Sequence, residues 1–315
     1  MKKIDMHFHS THSDGRNTED ELLQHAQSKK VEFLALTDHD NISSGFREKA
    51  AKYGIQSCES VEISARNYQD EKSLHLTCYT KHFSHDVHAI LNNVREARKG
   101  NLETQIIALQ QTGFQITMQE LYDFWKSCNR NISALNKYDI ASILYHSKIN
   151  KQHWIQLNNG IDLWLNDFYL RYFKREGEQF SVFWVLVPEY EPSLEVCKHI
   201  QQTHDAILSI AHPNFTFKKW VDEFISSLPT YIENAWVNAL EINSKASKLW
   251  IESIIKEAKK HNLYITFWSD NHKIWSPDNK HGDFTELNPH ITESFITQEF
   301  DKYRDFILSS EKNNL

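Results

Sequence analysis

The chain has 315 residues, of which 40% are hydrophobic, 12% aromatic and 24% charged, with a net charge of −7 and an isoelectric point near 6.2. That apolar fraction can bury a sizeable core and excludes disorder over most of the length, while the acidic balance excludes a protein that grips long duplex nucleic acid by neutralising its phosphates. The length, about twice that of a usual domain, suits one large α/β barrel with an insertion, or two domains.

The alternating KIDMHF at residues 3–8 reads as a strand, followed by the polar loop STHSDGRN and the helical pattern TEDELLQHAQSKK, in which Thr18 caps and Glu21 completes a capping box. VEFLALTDHD is a second strand, and NISSGFREKAAKYG a helix stopped by Gly54, with Asp40 as its candidate cap. IQSCESVEIS and SLHLTCYT are the third and fourth strands. From Ser84 to Glu189 the rhythm changes to long helical patterns, HAILNNVREARKGNLETQIIALQQTG, MQELYDFWKS and YDIASILYHSKI, with no clear strand before QFSVFWVLVP. DAILSIAHP, WVNALEINS and LYITFWSDNH are three late strands, separated by helical candidates near residues 192–203, 218–228 and 246–261. Strands alternating with helices argue a parallel sheet, and about seven of them close most easily into a barrel. The expected organisation is a barrel formed by residues 1–83 and 190–315, with 84–189 as a mainly helical insertion that carries substrate specificity.

Cys58, Cys78, Cys128 and Cys197 are far apart and lack CxxC spacing, which argues buried, reduced thiols. The N-terminus has no apolar signal core and no stretch offers the roughly eighteen uncharged apolar residues of a membrane span, so a cytoplasmic protein without membrane contact is expected. Sequons at Asn41, Asn131 and Asn214 are then chance matches.

Catalytic groups of an α/β barrel gather at the carboxyl ends of its strands, where the loops converge. The ligand-type residues fall there. His7 and His9 end the first strand and Asp14 follows in its loop; His39 ends the second; Glu62 ends the third; His75 lies on the fourth; His212 ends the fifth; Asp270 and His272 end the last. Six imidazoles and three carboxylates suit manganese, zinc or iron. They are too many for one ion with an open position, so two or three divalent ions bridged by Glu62 and Asp14 are expected. Asp5 and Asp38, beside the ligands, are candidates to orient the histidines. His12 reads as a flanking or solvent-facing residue, and His82, His85 and His88 as a solvated helix face.

In this order, "DMHFHSTHSDG", "LTDHD", "VEIS" with "LHL", "AHP" and "SDNH" resemble the motifs of the PHP family of metal-dependent phosphoesterases. The resemblance covers residues 1–80 and 190–275, and in the insertion KYDIASIL and VLVPEYEPSLEV resemble the short bacterial members acting on nucleotides or RNA ends. It implies a distorted seven-stranded barrel and a trinuclear centre: His7, His9, Glu62 and Asp270 on one ion, Glu62, His75 and His212 on a second, Asp14, His39 and His272 on a third. It also implies hydrolysis of a phosphate ester by metal-activated hydroxide, with no protein nucleophile. Two departures touch the substrate. Where short members often carry R-x-H-I-A, this chain has Lys137, Tyr138, Asp139, Ile140 and Ala141, so a point charge replaces a bidentate clamp and Asp139 would repel phosphate. Asn214 stands where a glycine commonly follows AHP. Arg16, Lys218 and Lys219 are candidate compensating contacts.

The expected substrate is a small phosphorylated molecule, such as a nucleoside 3',5'-bisphosphate or the end of a short oligonucleotide; histidinol phosphate or a sugar phosphate is the alternative. Amidohydrolases also open on HxH, but typically add a bridging lysine, and no lysine ends a strand among these ligands. A metal-stabilised binding module is the non-catalytic alternative.

Overall fold

Period-two patterning decides which face of each strand meets the core. On β3 (Glu59–Asn67), Val61, Ile63 and Ala65 enter the main hydrophobic core, which leaves Glu62 and Ser64 on the opposite face. On β4 (Lys72–Thr80), Leu74, Leu76 and Cys78 do the same and leave His75 and Thr77 opposite. A computed structural model of the chain describes residues 3–128, 137–173, 191–217, 220–270, 272–274 and 290–308. The expected strand QFSVFWVLVP, together with Lys218, Lys219, Asn131 and His281, lies outside the described residues.

Among the described residues the strands form two sheets. β1 (Lys3–Asp5) pairs in parallel with β2 (Val31–Leu34), and a five-stranded sheet runs in the order β3, β4, β5 (Ile207–Ile210), β6 (Ala239–Asn243), β7 (Tyr264–Trp268). Backbone hydrogen bonds link the two sheets at both edges: Met6 N to Phe267 O (3.0 Å) and Asp270 N to His7 O (3.0 Å) on one side, Leu34 N to Gln56 O (3.0 Å) and Asp40 N to Glu62 O (2.8 Å) on the other. An all-parallel sheet is not what forms. β3 and β4 are antiparallel because only residues 68–71 separate them, and a parallel return needs a crossover of about a dozen residues or more; β4 and β5, joined through the long helical segment, are antiparallel as well. β5–β6 and β6–β7 are parallel, and each of those connections holds a helix long enough for a crossover.

The helices follow local signals. α1 (Glu19–Ser28) carries the Thr18–Glu21 capping box, with Thr18 N donating to Glu21 Oε2 at 2.8 Å. α2 (Phe46–Lys52) begins after Gly45, so Asp40 is not its cap; Asp40 is buried and accepts from Ser64 N and Ser64 Oγ, each at 2.8 Å. Asp40 stands five residues before Gly45, which occupies the N-cap position, so the local partner is out of reach and a tertiary one takes its place.

The chain divides into two units, Met1–Asn92 with Glu191–Leu315, and Asn93–Tyr190. α3 (His85–Gln111) runs through the first boundary. The second unit adds α4 (Met118–Ser127), α5 (Lys137–His146), α6 (Lys148–Leu157) and α7 (Leu165–Tyr172), and packs Leu109, Leu121, Trp125, Ile140, Trp154 and Phe168 into its own core. Here Asp139 plays a structural part: it is 1% exposed and accepts from Trp125 Nε1 at 2.8 Å. The repulsion of phosphate expected from Asp139 is therefore set aside, since a side chain buried on an indole N–H presents no open charge.

In the first unit α8 (Leu194–His204), α9 (Pro213–Thr216), α10 (Val221–Ala235), α11 (Lys248–His261), α12 (Glu293–Asp301) and α13 (Arg304–Leu308) complete the described elements. No helix among the described residues is long and apolar enough to cross a membrane.

Candidate metal centre

His7 and His9 are two residues apart on an extended segment, so both project to one face, while Met6 enters the main core and Phe8 a smaller one against α1 and α2. The same alternation aims Glu62 and His75 at the same place. Glu62, fully buried, divides its two oxygens among five imidazoles. Oε2 lies 3.2 Å from His7 Nε2, 3.3 Å from His9 Nε2 and 3.0 Å from His39 Nδ1; Oε1 lies 3.0 Å from His75 Nδ1 and 3.0 Å from His212 Nε2.

A second carboxylate organises the outer side. Asp14 Oδ1 stands 3.2 Å from His272 Nε2 and 3.7 Å from His9 Nδ1, and its Oδ2 stands 3.7 Å from His39 Nε2. Asp270 Oδ1 reaches His9 Nε2 at 3.4 Å. All nine residues singled out from the sequence are thus brought into one continuous cluster. Its floor is dry, with His7 and Glu62 at 0% and His9 at 1% side-chain exposure, and its mouth is open, with His75 at 36% and His272 at 35%.

Among the described residues, three sets of ligand-type atoms lie within 4.8 Å of one another: His9, Asp14, His39 and His272; His7, His9 and Glu62; His39, Glu62 and His75. Glu62, His9 and His39 each belong to two sets, whereas Asp14 belongs to one. The arrangement fits divalent ions. Glu62 Oε2 and His39 Nδ1 are buried and make no hydrogen bond, although they are 3.0 Å apart. Ligand bonds of about 2.1 Å in tetrahedral array put donor atoms about 3.4 Å apart, close to the 3.0 to 3.4 Å separations around Glu62 and Asp270.

The electrostatics follow from burying so many titratable groups together. Burial alone would raise Glu62, but His39, His7 and His75 hold it well below the usual carboxylate range. Burial works the same way on Asp14, where His272 and His39 prevail, and on Asp270, held at about 2 by His272 and His9. His39 goes the other way: burial pushes it down to about 4 despite Glu62 and Asp14. Burial would also lower His272, yet Asp14 and Asp270 hold it up at about 10.

The loop after β1 is shaped by two features. Gly15 lies so close to the preceding turn that a Cβ there would stand 2.4 Å from His9 O, 2.5 Å from His9 C and 2.6 Å from Ser10 O. Asp38, buried, accepts from Ser10 N (2.8 Å), Ser10 Oγ (2.6 Å) and Ser13 Oγ, and Ser13 Oγ in turn lies 3.3 Å from His9 Nδ1. Asp38 therefore bears on His9 through Ser13. Asp5 accepts from His7 N at 3.4 Å and from Ser269 N and Oγ at 3.1 and 2.5 Å, which fixes the strand end before Asp270.

The candidate substrate contacts are scattered. Arg16 N donates to His272 O at 2.7 Å, which keeps this residue beside the cluster. Asn214, 7% exposed on α9, follows His212 by two positions and has a buried Oδ1 without a hydrogen bond. Lys137 opens α5 in the second unit. His12 faces Glu19 Oε1 at 3.6 Å and is half-exposed, and His82 faces Glu59 Oε1 at 3.1 Å.

One carboxylate at the cluster escaped the sequence reading. Glu241 on β6, 0% exposed, lies 3.1 Å from His7 Nδ1 through Oε1 and accepts from His212 N at 2.7 Å through Oε2. Its only signal was an acidic residue in the apolar run WVNALEINS.

The family model of the PHP domain matches residues 5–265. Over 126 residues the chain is 27% identical to a phosphoribosyl 1,2-cyclic phosphate 1,2-diphosphodiesterase of Eggerthella lenta, a match covering 39% of this chain and 48% of that protein. Over 67 residues it is 43% identical to a 3',5'-nucleoside bisphosphate phosphatase of Chromobacterium violaceum, covering 20% of this chain and 23% of the relative. The chain thus spans about half the length of the first relative and about a quarter of the second. A solved structure from Bifidobacterium adolescentis, named as a candidate metal-dependent phosphoesterase, superposes with a TM-score of 0.68 at 18% identity over 96% of both chains, a likeness of fold.

Proposed function

The chain belongs to the PHP domain family, and on that premise we propose that it is a metal-dependent phosphoesterase acting on a small phosphorylated substrate. The observation that carries the reading is Glu62, one buried carboxylate whose two oxygens face separate groups of imidazoles, as a ligand shared between ions would. We assign His7, His9, Glu62 and Asp270 to one ion, Glu62, His75 and His212 to a second, and Asp14, His39 and His272 to a third. We also read the hydrogen bonds at both sheet edges as the closure of a distorted seven-stranded barrel.

When bound, divalent ions supply Lewis acidity, which brings the pKa of a water to roughly 7 and neutralises phosphate oxygens. The residues of the chain do the rest. The dry floor of His7, His9 and Glu62 fixes where ions sit, and the open side at His75 and His272 admits the phosphate. Arg16 supplies a cation and Asn214 a polar contact for the phosphate oxygens; Lys137 and the rest of the helical unit select the substrate. The attacking group is water, so no side chain forms a covalent intermediate.

A nucleoside 3',5'-bisphosphate is the leading substrate, supported by the name of the Chromobacterium relative, with an oligonucleotide end beside it. The test is phosphate release from nucleoside 3',5'-bisphosphates, nucleoside monophosphates, histidinol phosphate and short 5'-phosphorylated oligonucleotides, with ring opening of phosphoribosyl 1,2-cyclic phosphate followed alongside. Chelator-sensitive turnover of the bisphosphates, restored by manganese, is the expected result. Metal-loaded protein that turns over none of these compounds would overturn the proposal.

A further inference from the structure

Glu241 occupies a position that chemistry rarely tolerates without purpose: a carboxyl group with 0% exposure on a strand whose neighbours Leu240 and Ile242 are core residues. Buried polar groups are retained where they are hydrogen-bonded, and both oxygens of Glu241 are engaged by the cluster. Oε1 meets His7 Nδ1 at 3.1 Å, and Oε2 accepts from His212 N at 2.7 Å. The two partners come from the ends of β1 and β5, which are separated in sequence by some two hundred residues.

The two contacts do different jobs. A proton on Nδ1 of His7 leaves Nε2 as the nitrogen free to bind, and Nε2 is the atom that lies 3.2 Å from both Glu62 Oε2 and His9 Nε2. His212 adopts the left-handed conformation, φ 35° and ψ 56°, unusual for a residue with a side chain. The bond from its backbone N–H to Glu241 holds it there, with its Nε2 3.0 Å from Glu62 Oε1. We infer that Glu241 is a positioning residue that sets the tautomer of His7 and the backbone turn of His212, and so aligns ligands on both sides of Glu62. The inference rests on the metal-site reading above.

Glu241→Gln tests it with almost no change of shape. Glutamine offers one acceptor and one donor group where two donors converge. His212 N–H is an obligate donor and takes the amide oxygen; the amide NH2 then faces His7 Nδ1, which must give up its proton and carry it on Nε2, pointing into the cluster. The variant therefore removes His7 as a ligand without deleting its ring. Manganese and zinc affinities are measured by competition with a chelating dye, for wild type, E241Q, His7→Gln and the double variant. E241Q is expected to bind about 10–100-fold more weakly, the usual effect of losing an outer partner of a metal ligand, and the double variant is expected to bind no more weakly than H7Q alone. Long-range 15N–1H spectra of the zinc-loaded wild type should show His7 protonated on Nδ1.

Undiminished affinity in E241Q overturns the inference while leaving the metal reading intact. So do losses that multiply in the double variant, because they would mean that Glu241 does not act through His7. A shift confined to the melting temperature of chelator-treated protein, at unchanged affinity, would make Glu241 a folding residue only and overturn it too. Wild type that binds neither ion overturns both readings.

Discussion

Replacing Gly15 by alanine adds one methyl group at the place where the first loop folds back onto the strand that carries His9. The new Cβ would lie 2.4 Å from His9 O, against a closest tolerable approach of 3.0 Å, so the loop must retreat by at least about 0.6 Å. The obstruction is backbone and cannot rotate away. Neighbouring bonds resist the retreat: Thr11 N to Asn17 O at 2.9 Å and Arg16 N to His272 O at 2.7 Å tie the loop on both sides. Such overpacking costs about 1–3 kcal/mol, less the roughly 0.4–1 kcal/mol that alanine contributes by stiffening the unfolded chain. At about 2–4 °C per kcal/mol for a unit of this size, the metal-free protein should melt a few degrees lower. The larger effect falls on Asp14, the adjacent residue, because metal ligands tolerate errors of only about 0.2 Å. Calorimetry in chelator and metal titration of G15A should show the small loss of stability together with a missing or at least tenfold weakened ion at Asp14, His39 and His272. A variant that melts within a degree of wild type and binds the full complement would refute the reasoning.

Metal affinity should depend on pH in one direction. His272 is held at about 10, so it is protonated in the metal-free protein near neutrality, and an ion must displace that proton. Affinity should rise by up to tenfold per pH unit between about 6.5 and about 10, and calorimetry in buffers of different ionisation enthalpy should show proton release; pH-independent binding would refute this. In the metal-free protein the sign reverses: a folded pKa above the ordinary 6.5 contributes stability that is complete below that value and is lost as pH rises through about 10, read from melting temperature against pH. Asp38→Asn leaves three converging donors with one acceptor oxygen, and should cost about 1–3 kcal/mol together with weaker binding at His9, measured by denaturant titration and by ion affinity. Saturating metal should stabilise the native state by about 2.7 kcal/mol at a free concentration a hundred times the dissociation constant, and a chelator should reverse that shift; an unmoved melting temperature would mean that the native state holds no ion.

The nine cluster residues were legible in the sequence because metal chemistry accepts few side-chain types, and strand ends recurring in order place those types one after another. Residues two apart on a strand share a face, so His7 with His9 could be read without any partner in view. The capping box at Thr18 and Glu21 was legible for the same reason: donor and acceptor lie within four residues, and the helix brings them together whatever the rest of the chain does.

Other features depended on what the fold brings alongside. Asp40 reads locally as a helix cap, yet it binds Ser64; Asp139 reads as a charge near substrate, yet it lies buried on Trp125. The alternation of most strands with helices argues a parallel sheet, yet β3 and β4 pair antiparallel, because the short connection at residues 68–71 allows no crossover. Glu241 shows the limit most clearly. From sequence it is one acidic residue in an apolar run, and its meaning arises only when β6 is laid beside β5 and near the end of β1, where His212 N–H and His7 Nδ1 meet its two oxygens. Ligand type and local spacing are properties of the chain, whereas the partner of a buried polar group is chosen by packing, which joins residues that no local pattern relates.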